Sequence, residues 1–273
     1  MMMFKYTKKI AMALVSVLFV ALSPLSHAGA INNSGLFTTP LPANDDGSTG
    51  LVNIGFNLNF YGASYSQLYV NNNGNVTFTQ PLSTYTPSGI TGTSLPMLAP
   101  FFADVDTRGA GSDVVTYGAS VINGHNVFGV DWINVGYFAS QSSPLNSFQL
   151  IITDMGLGNF SFQYNYDKIL WETGSASGGG PGGLGGTSAA AGWTNGIGNF
   201  YQLAGSLVNG GLLDPNQTTG LINNDLNSST LGQYIFNVSN GVVVNNVPEP
   251  ESIALLMLGL MGFAALRRKE NKV

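Results

Sequence analysis

The feature of this sequence that most constrains its fold is a strict alternation of aromatic and polar residues. Phe160, Phe162, Tyr164 and Tyr166 are separated by Ser, Gln and Asn. Side chains of a β-strand point to opposite faces in turn, so this spacing puts all four aromatic rings on one face. An amphipathic helix would instead repeat its apolar residues every three or four positions. The segment therefore predicts a strand in a sheet that buries one face.

Short apolar runs elsewhere in the chain are separated by residues that favour tight turns. Predicted turns lie at Asn73-Gly74, Asn123-Gly124 and Gly156–Asn159, because Asn and Gly tolerate positive φ. Many short strands at this spacing predict an all-β fold, an antiparallel sandwich-like body. The strands are predicted at Gln67–Val70, Val76–Thr79, Val114–Tyr117, Asn126–Trp132, Phe148–Thr153, Phe160–Tyr166, Gln233–Val238 and Val242–Val244.

The beginning of the chain has the pattern of a secretory signal peptide. Three lysines among the first nine residues precede the apolar stretch Ile10–Leu22, which Pro24 ends. Ser26-His27-Ala28 then places small residues at the −3 and −1 positions of a cleavage site. We expect a signal helix in residues 1–28, with cleavage after Ala28 or, alternatively, after Ala30.

The C-terminal end combines a short motif, a weak membrane span and a basic stop. Pro248-Glu249-Pro250 precedes the apolar run Ile253–Leu266, and Arg267-Arg268-Lys269 follows it. At about 1.5 Å per residue, the run covers roughly two-thirds of a hydrocarbon core of about 30 Å. Basic residues directly after it would hold the C-terminus in the cytoplasm. An ordinary C-terminal anchor helix is one interpretation of this pattern.

Taken in order, the three features resemble the PEP-CTERM sorting signal of Gram-negative bacteria, over residues 248–273. The resemblance implies a hydrophobic sorting helix that is processed by exosortase, a membrane-embedded transpeptidase. It also implies that the body is secreted through the inner membrane, anchored transiently, and delivered to the cell surface or extracellular matrix. The sorting residues would be Pro248, Glu249, Pro250, Arg267 and Arg268.

The body between the two terminal segments is strongly acidic. Residues 29–247 contain two cationic side chains, Arg108 and Lys168, and 11 Asp and Glu, for a formal net charge of −9. A surface with two cations cannot neutralise a run of phosphates, so nucleic-acid binding is excluded as a function. Electrostatic adhesion to anionic lipid is excluded for the same reason. Membrane contact is therefore expected only through the terminal segments. The chain has no cysteine, so its stability in an oxidising compartment must come from the core.

A series of motif blocks follows one another through the body. They are Asn59–Gly62 with Leu68–Gly74, Leu98–Thr107, Trp132–Tyr137, Asn146–Ile151, Phe162–Tyr166 and Ile169–Gly174, then a Gly-rich loop and Ala191-Gly192-Trp193. In this order they resemble the nidogen-like (NIDO) extracellular domain, most strongly over residues 50–240. The expected organisation is a NIDO domain at 29–240 and a linker at 241–247. Asp131 departs from the family pattern, where a less acidic residue is expected.

The resemblance implies an extracellular β module of adhesive and matrix-associated proteins. We therefore expect a protein that mediates cell–matrix adhesion by binding, with a matrix polysaccharide or a surface protein as its partner, and not an enzyme. The alternative is a structural or carbohydrate-binding component of an extracellular polysaccharide layer.

Acidic residues in the most specific block are candidates for binding calcium. Asp104 and Asp106 are two residues apart, so in a strand both would face the same side. With Asp45-Asp46 or Asp113 they would form the oxygen-only cluster that calcium requires. Ca²⁺ is thus the one cofactor the sequence suggests. Alternatively, the two carboxylates tie a loop, with Arg108 as their partner.

Three tryptophans and two polar residues complete the candidates. Trp132, Trp171 and Trp193 would either pack in the core or form a platform on which sugars stack. His125 is the one histidine after the signal peptide and is expected in an exposed turn, so zinc is not expected. Glu172 is the one candidate for a paired-carboxylate glycosidase, but it lies in a block that the family pattern already explains.

Overall fold

The computed structural model describes residues 29–244, and it is all-β, as predicted. The strands are β1 Thr39–Pro40, β2 Val52–Phe60, β3 Ala63–Asn71, β4 Asn75–Thr77, β5 Met97–Phe102, β6 Thr116–Ile122, β7 His125–Tyr137, β8 Gln141–Gly156, β9 Asn159–Lys168, β10 Ala190–Thr194, β11 Phe200–Gln202, β12 Gln233–Ser239 and β13 Val242–Val244. Three single-turn 3₁₀ helices lie at Ile90–Gly92, Ser175–Ser177 and Leu221–Asn223. No helix in this part of the chain is long and apolar enough to cross a membrane.

The predictions for the two ends of the chain fall largely outside the described residues. The signal helix, the sorting helix and the sorting residues Pro248, Glu249, Pro250, Arg267 and Arg268 all lie there. The predicted linker at 241–247 begins inside the described part. Its residues Val242–Val244 form β13 and pair with β12, so the first half of that segment belongs to the sheet.

The strands form two antiparallel sheets. One has seven strands in the order β1-β6-β7-β8-β9-β12-β13, and the other has six in the order β11-β10-β5-β4-β3-β2. The long strands β6 to β9 follow one another as a meander, and the predicted turns at Asn123-Gly124 and Gly156–Asn159 form two of its three connections. Asn123 and Gly124 both have positive φ, of 51° and 82°, as a two-residue hairpin turn requires.

The aromatic row on β9 joins the two sheets. Phe160, Phe162, Tyr164 and Tyr166 are each at most 1% exposed, which confirms the predicted inward face. The Tyr164 hydroxyl donates to the carbonyl of Gly192 on β10 at 2.7 Å. The Tyr166 hydroxyl donates to the carbonyl of Pro100 on β5 at 2.6 Å. The row therefore supplies apolar area and also two hydrogen bonds that fix how one sheet lies on the other.

The opposite face of the seven-stranded sheet carries a row of polar side chains, three of them buried and the fourth half-buried, which we call the amide ladder. It consists of Asp131, Gln149, Asn165 and Gln233, which sit side by side on β7, β8, β9 and β12. Gln149 Nε2 donates to Asp131 Oδ1 at 2.7 Å, and Asn165 Nδ2 donates to Gln149 Oε1 at 2.8 Å. Gln233 Nε2 donates to Asn165 Oδ1 at 3.2 Å.

Residues 29–37, which we call the N-terminal strap, cover the amide ladder. The backbone N–H and carbonyl of Asn32 both bond to the Gln149 amide, each at 3.0 Å. The ring of Phe37 packs so closely on Gly129 that a Cβ there would lie 1.9 Å from it. The alternation predicted only that Asn165 lies on the face opposite the aromatic row, and in the structure that residue is fully buried. The alternation could not predict this burial, because the strap comes from a distant part of the chain.

Candidate functional site

Three carboxylates converge at one corner of the molecule, and we call this group the acidic corner. It consists of Asp45, Asp46 and Asp104, each with a carboxylate oxygen within 4.8 Å of the others. Asp45 and Asp46 lie on the loop before β2, and Asp104 lies two residues after β5 ends. Asp104 is 1% exposed, whereas Asp45 and Asp46 are half-buried.

The turn between β3 and β4 builds this corner. Asn72 Nδ2 donates to the carbonyls of Asp45 and Val105, both at 2.6 Å. Asn73 Nδ2 donates to Asp46 Oδ1 at 2.8 Å, and Asn73 Oδ1 accepts from the Val105 N–H at 2.9 Å. The turn thus ties the loop of Asp45 and Asp46 to the segment that carries Asp104.

The same turn is anchored to both sheets. The indole N–H of Trp132, on β7, donates to the Asn72 carbonyl at 3.0 Å. Gly74 adopts a φ of 71° and packs on the carbonyl of Phe101, so a Cβ at this position would lie 1.7 Å from that oxygen. The sequence predicted the turn but not its contacts with the acidic corner, because tight hairpin turns are normally solvated. The sequence feature that indicates these contacts is the unusual presence of four Asn within Asn71–Asn75. Each of the four is at most 1% exposed in the structure.

The carboxylate of Asp106 has different partners from that of Asp104, the residue with which the sequence paired it. The strand β5 ends at Phe102, so the alternation of a regular strand does not extend to these residues. Asp106 Oδ1 accepts from the backbone N–H and the Nε of Arg108, at 3.0 and 2.8 Å. Its Oδ2 accepts from Arg108 Nη2 and from the Ser140 N–H, both at 2.7 Å. Asp106 is therefore the loop tie that the sequence offered as the alternative.

The pKa values of Asp104 and Asp106 shift in opposite directions. Burial raises the pKa of Asp106, but the hydrogen bonds from Arg108 and Ser140 outweigh it and lower the pKa below its usual range. Burial, reinforced by the charges of Asp45, Asp46 and Asp106, raises the pKa of Asp104 to about 7. Burial, with the charges of Asp106 and Asp46, raises the pKa of Asp45 to about 6, although Arg108 opposes it.

One oxygen of the Asp104 carboxylate has no partner within residues 29–244 of the protein. Its Oδ2 atom is buried without a hydrogen-bond partner, and so is Oδ1 of Asp45. Gly174 packs against the Asp104 side chain, where a Cβ would lie 2.2 Å from Oδ2. Asp113, the other candidate neighbour from sequence, lies outside the corner and accepts from Asn134 Nδ2 at 3.2 Å.

The three tryptophans lie in the core, as the packing interpretation expects, and do not form an exposed platform. Trp132 and Trp171 are fully buried and Trp193 is 6% exposed. Trp132 stacks on Phe148 with ring centroids 5.2 Å apart, and the Trp171 indole donates to the Val135 carbonyl at 3.0 Å. Sugar stacking needs an open ring face, which these positions do not offer.

The two polar candidates also have structural surroundings. The Glu172 carboxylate accepts from the backbone N–H of Gly210 at 3.0 and 2.8 Å and from that of Gly185 at 3.4 Å. It therefore joins the Gly-rich loop to the segment near Gly210. His125 is exposed at the start of β7, where Nδ1 contacts the Asp154 carbonyl at 3.1 Å.

Two antiparallel sheets packed on each other define a β-sandwich-like domain, and loops of this domain form the acidic corner. The model of the nidogen-like domain matches residues 66–240. The chain therefore belongs to the nidogen-like domain family. The PEP-CTERM protein-sorting motif matches residues 246–269, so the chain is an exported protein that is sorted by exosortase to the cell surface or extracellular space.

Known relatives share this domain and are much longer. Alpha-tectorin of Mus musculus is 35% identical over 196 residues, which cover 62% of this chain and 9% of that protein. Nidogen of Drosophila melanogaster is 26% identical over 230 residues, covering 76% of this chain and 16% of that protein. Nidogen-2 of Mus musculus is 37% identical over 98 residues, covering 33% of this chain and 7% of that protein. No solved structure matches the chain.

Proposed function

We propose that the nidogen-like domain mediates cell–matrix adhesion, acting by binding and not by catalytic turnover. The observation that carries this proposal is the combination, in one chain, of a nidogen-like domain at 66–240 and a surface-sorting motif at 246–269. A protein sorted to the surface meets the matrix directly. In this proposal the C-terminal segment holds the protein in the inner membrane transiently, and processing by exosortase then passes it to the surface.

The acidic surface supports a matrix partner and not a lipid or nucleic acid. Residues 29–247 carry a formal net charge of −9, and both of their Lys and Arg side chains are already bonded within the protein. An exposed apolar surface is available for a protein partner near β11, the edge strand of the six-stranded sheet. Ile197 is 81% exposed, Phe200 51% and Tyr201 37%.

A second candidate function is carbohydrate binding, as a component of an extracellular polysaccharide layer. The observation that favours it is a cleft of about 500 Å³ between β2 and the turn that joins β8 to β9. Amide, carboxylate and hydroxyl groups of Asn57, Asn59, Asp154 and Ser64 line it, beside Phe56 and Leu157. Such a mixture of polar groups and apolar surface suits the hydroxyls and the C–H faces of sugars.

A binding experiment distinguishes the two candidates. The purified full-length protein is tested in detergent against the producing organism's own polysaccharide and against its surface proteins. Adhesion through a protein partner predicts that Phe200→Ser weakens binding while Asn57→Ala does not. Carbohydrate binding in the cleft predicts the reverse. Failure of the protein to bind either fraction would contradict both candidates.

A second test concerns sorting. Replacing Pro248-Glu249-Pro250 by alanines should leave the protein in the inner membrane, because exosortase would no longer recognise the tail. The measurement is the amount of protein at the cell surface relative to the membrane fraction. Normal surface delivery of this variant would contradict the proposed route.

A further inference from the structure

The acidic corner holds three carboxylates but lacks enough positive charge to balance them. A carboxylate removed from water must be paired, protonated or bound to a metal. Asp104 is 1% exposed and its Oδ2 has no partner, so none of its neighbours in the protein supplies this balance.

The cationic side chains of the described residues are already engaged. Arg108 bonds twice to Asp106 through Nε and Nη2, and its Nη2 also reaches Asp45 Oδ2 at 2.8 Å. Lys168 Nζ donates to Asn134 Oδ1 at 2.6 Å. Residues 29–244 contain no other Lys or Arg. No Lys or Arg side chain in this part of the chain is therefore bonded to Asp104 or Asp46.

We propose that Asp45, Asp46 and Asp104 bind one calcium ion. Calcium binds oxygen at about 2.3–2.6 Å, so two ligand oxygens on opposite sides of the ion lie about 4.6–5.2 Å apart. The three carboxylate oxygens lie within 4.8 Å of one another, which fits ligands around one such ion. The cluster contains no histidine and no cysteine, so it favours a hard oxygen-binding cation over zinc.

Hydrogen bonds within the protein hold the loops that carry the ligands. Asn73 orients Asp46 through its side-chain amide, and Asn72 fixes the backbone at Asp45. The N–H of Gly47 donates to Asn44 Oδ1 at 2.7 Å, and the N–H of Asn72 donates to the Gly47 carbonyl at 2.9 Å. A preformed site loses less conformational entropy on binding, which favours affinity. Extracellular calcium sites work at dissociation constants of about 10⁻⁴–10⁻³ M, so three carboxylates with backbone or water oxygens suffice.

The test is a calcium titration of the purified full-length protein in detergent, followed by calorimetry and by thermal unfolding. We expect one calcium per chain and a midpoint of unfolding that rises with calcium, but not with magnesium at equal ionic strength. Asp104→Asn should weaken calcium affinity at least tenfold. Asp46→Asn serves as a second variant if the buried substitution prevents folding, because Asp46 is half-buried and an Asn oxygen can still accept from Asn73.

Asp131→Asn is the matched control. Asp131 is also 1% exposed and also has an unpartnered Oδ2, but it lies outside the acidic corner. This variant should keep the full calcium response. Equal unfolding midpoints of the unmodified protein in calcium and in chelator would overturn the proposal. So would a calcium affinity that is unchanged in both Asp104→Asn and Asp46→Asn.

Discussion

Asp104 and Asp131 are two buried aspartates with the same degree of burial and different surroundings. Each is 1% exposed and has an Oδ2 atom without a hydrogen-bond partner. The pKa of each is raised to about 7, by burial at Asp131 and by burial together with the charges of neighbouring carboxylates at Asp104. Asp104 faces two more carboxylates, whereas Asp131 faces the amide of Gln149. Burial alone therefore does not make a carboxylate a candidate metal ligand, because the groups around it decide how its charge is removed. A single carboxylate beside an amide can lose its charge by protonation, whereas in our proposal the three clustered carboxylates of the acidic corner bind a calcium ion.

The largest expected effect concerns the pH dependence of stability at Asp131. Its folded pKa of about 7 lies above the ordinary value of 3.8, so the folded state binds more protons between these values. Stability should therefore fall as pH rises from about 4 to about 7 and change no further through this group above that. A shift of about three units corresponds to about 4 kcal/mol, which Asp131→Asn should recover at pH 8 and not at pH 4.

Urea unfolding of both proteins at pH 4 and pH 8 measures this effect. The difference between the two proteins is the relevant quantity, since Asp45 and Asp104 contribute equally to both. The Asn side chain can still accept the hydrogen bond from Gln149, so the substitution removes the charge and keeps this bond. A difference that does not change with pH would show that Asp131 is not the protonated group in this account.

A smaller effect on the free energy of unfolding is expected at Asn72, which holds the acidic corner around Asp104. Asn72→Ala leaves the buried carbonyls of Asp45 and Val105 without their donors. An unsatisfied buried polar group costs about 1–3 kcal/mol, so we expect a loss of roughly 3 kcal/mol and a weaker response to calcium. The measurement is urea unfolding with and without calcium.

Gln67→Ala is the control for Asn72→Ala. Gln67 also donates a side-chain amide hydrogen bond, to Asn53 Oδ1 at 3.0 Å, but that bond is exposed. This variant should unfold with nearly unchanged stability and keep its calcium response. Equal losses in the two variants would mean that the turn does not hold the corner in the way described.

The smallest effect is expected at Trp132, which follows Asp131 in sequence and points to the opposite side of the sheet. Its indole donates to the Asn72 carbonyl, so Trp132→Phe should cost about 1–3 kcal/mol through the lost bond. We expect this variant to weaken calcium binding modestly and to leave the pH dependence through Asp131 unchanged. Calorimetry with calcium and unfolding at the two pH values measure both quantities. A change in the pH dependence alone would contradict the link between Trp132 and the corner.

Much of the fold could be predicted from local sequence patterns. The alternation at Phe160–Tyr166 and the Asn-Gly turns act within a few residues, so strands and hairpins followed from them. The burial of Asn165 could not be predicted in this way. It depends on the N-terminal strap, whose Asn32 bonds to Gln149 across a separation of 117 residues.

The candidate site was predicted only in part. The sequence identified Asp104 and suggested Asp45 and Asp46, or Asp113, as its neighbours, and the structure places Asp45 and Asp46 beside it and Asp113 elsewhere. The spacing of two residues also paired Asp104 with Asp106 on one face. Such a spacing implies a shared face only where the strand continues, and β5 ends at Phe102. The sequence also offered Arg108 as a partner of the carboxylates, and the structure gives this role to Arg108 for Asp106. The hydrogen bonds of Asn72 and Asn73 join three loops that are distant in sequence. A local sequence pattern cannot predict such contacts.

The most direct test of the account is a crystal structure of the protein grown with calcium, with an anomalous difference map. The account predicts one peak in the acidic corner, with oxygens of Asp45, Asp46 and Asp104 at about 2.3–2.6 Å from it, and no peak beside Asp131. A corner without a peak, in which an Asp104 oxygen instead lies within hydrogen-bonding distance of Asp45 or Asp46, would show that the carboxyls share a proton. That result would contradict the calcium site.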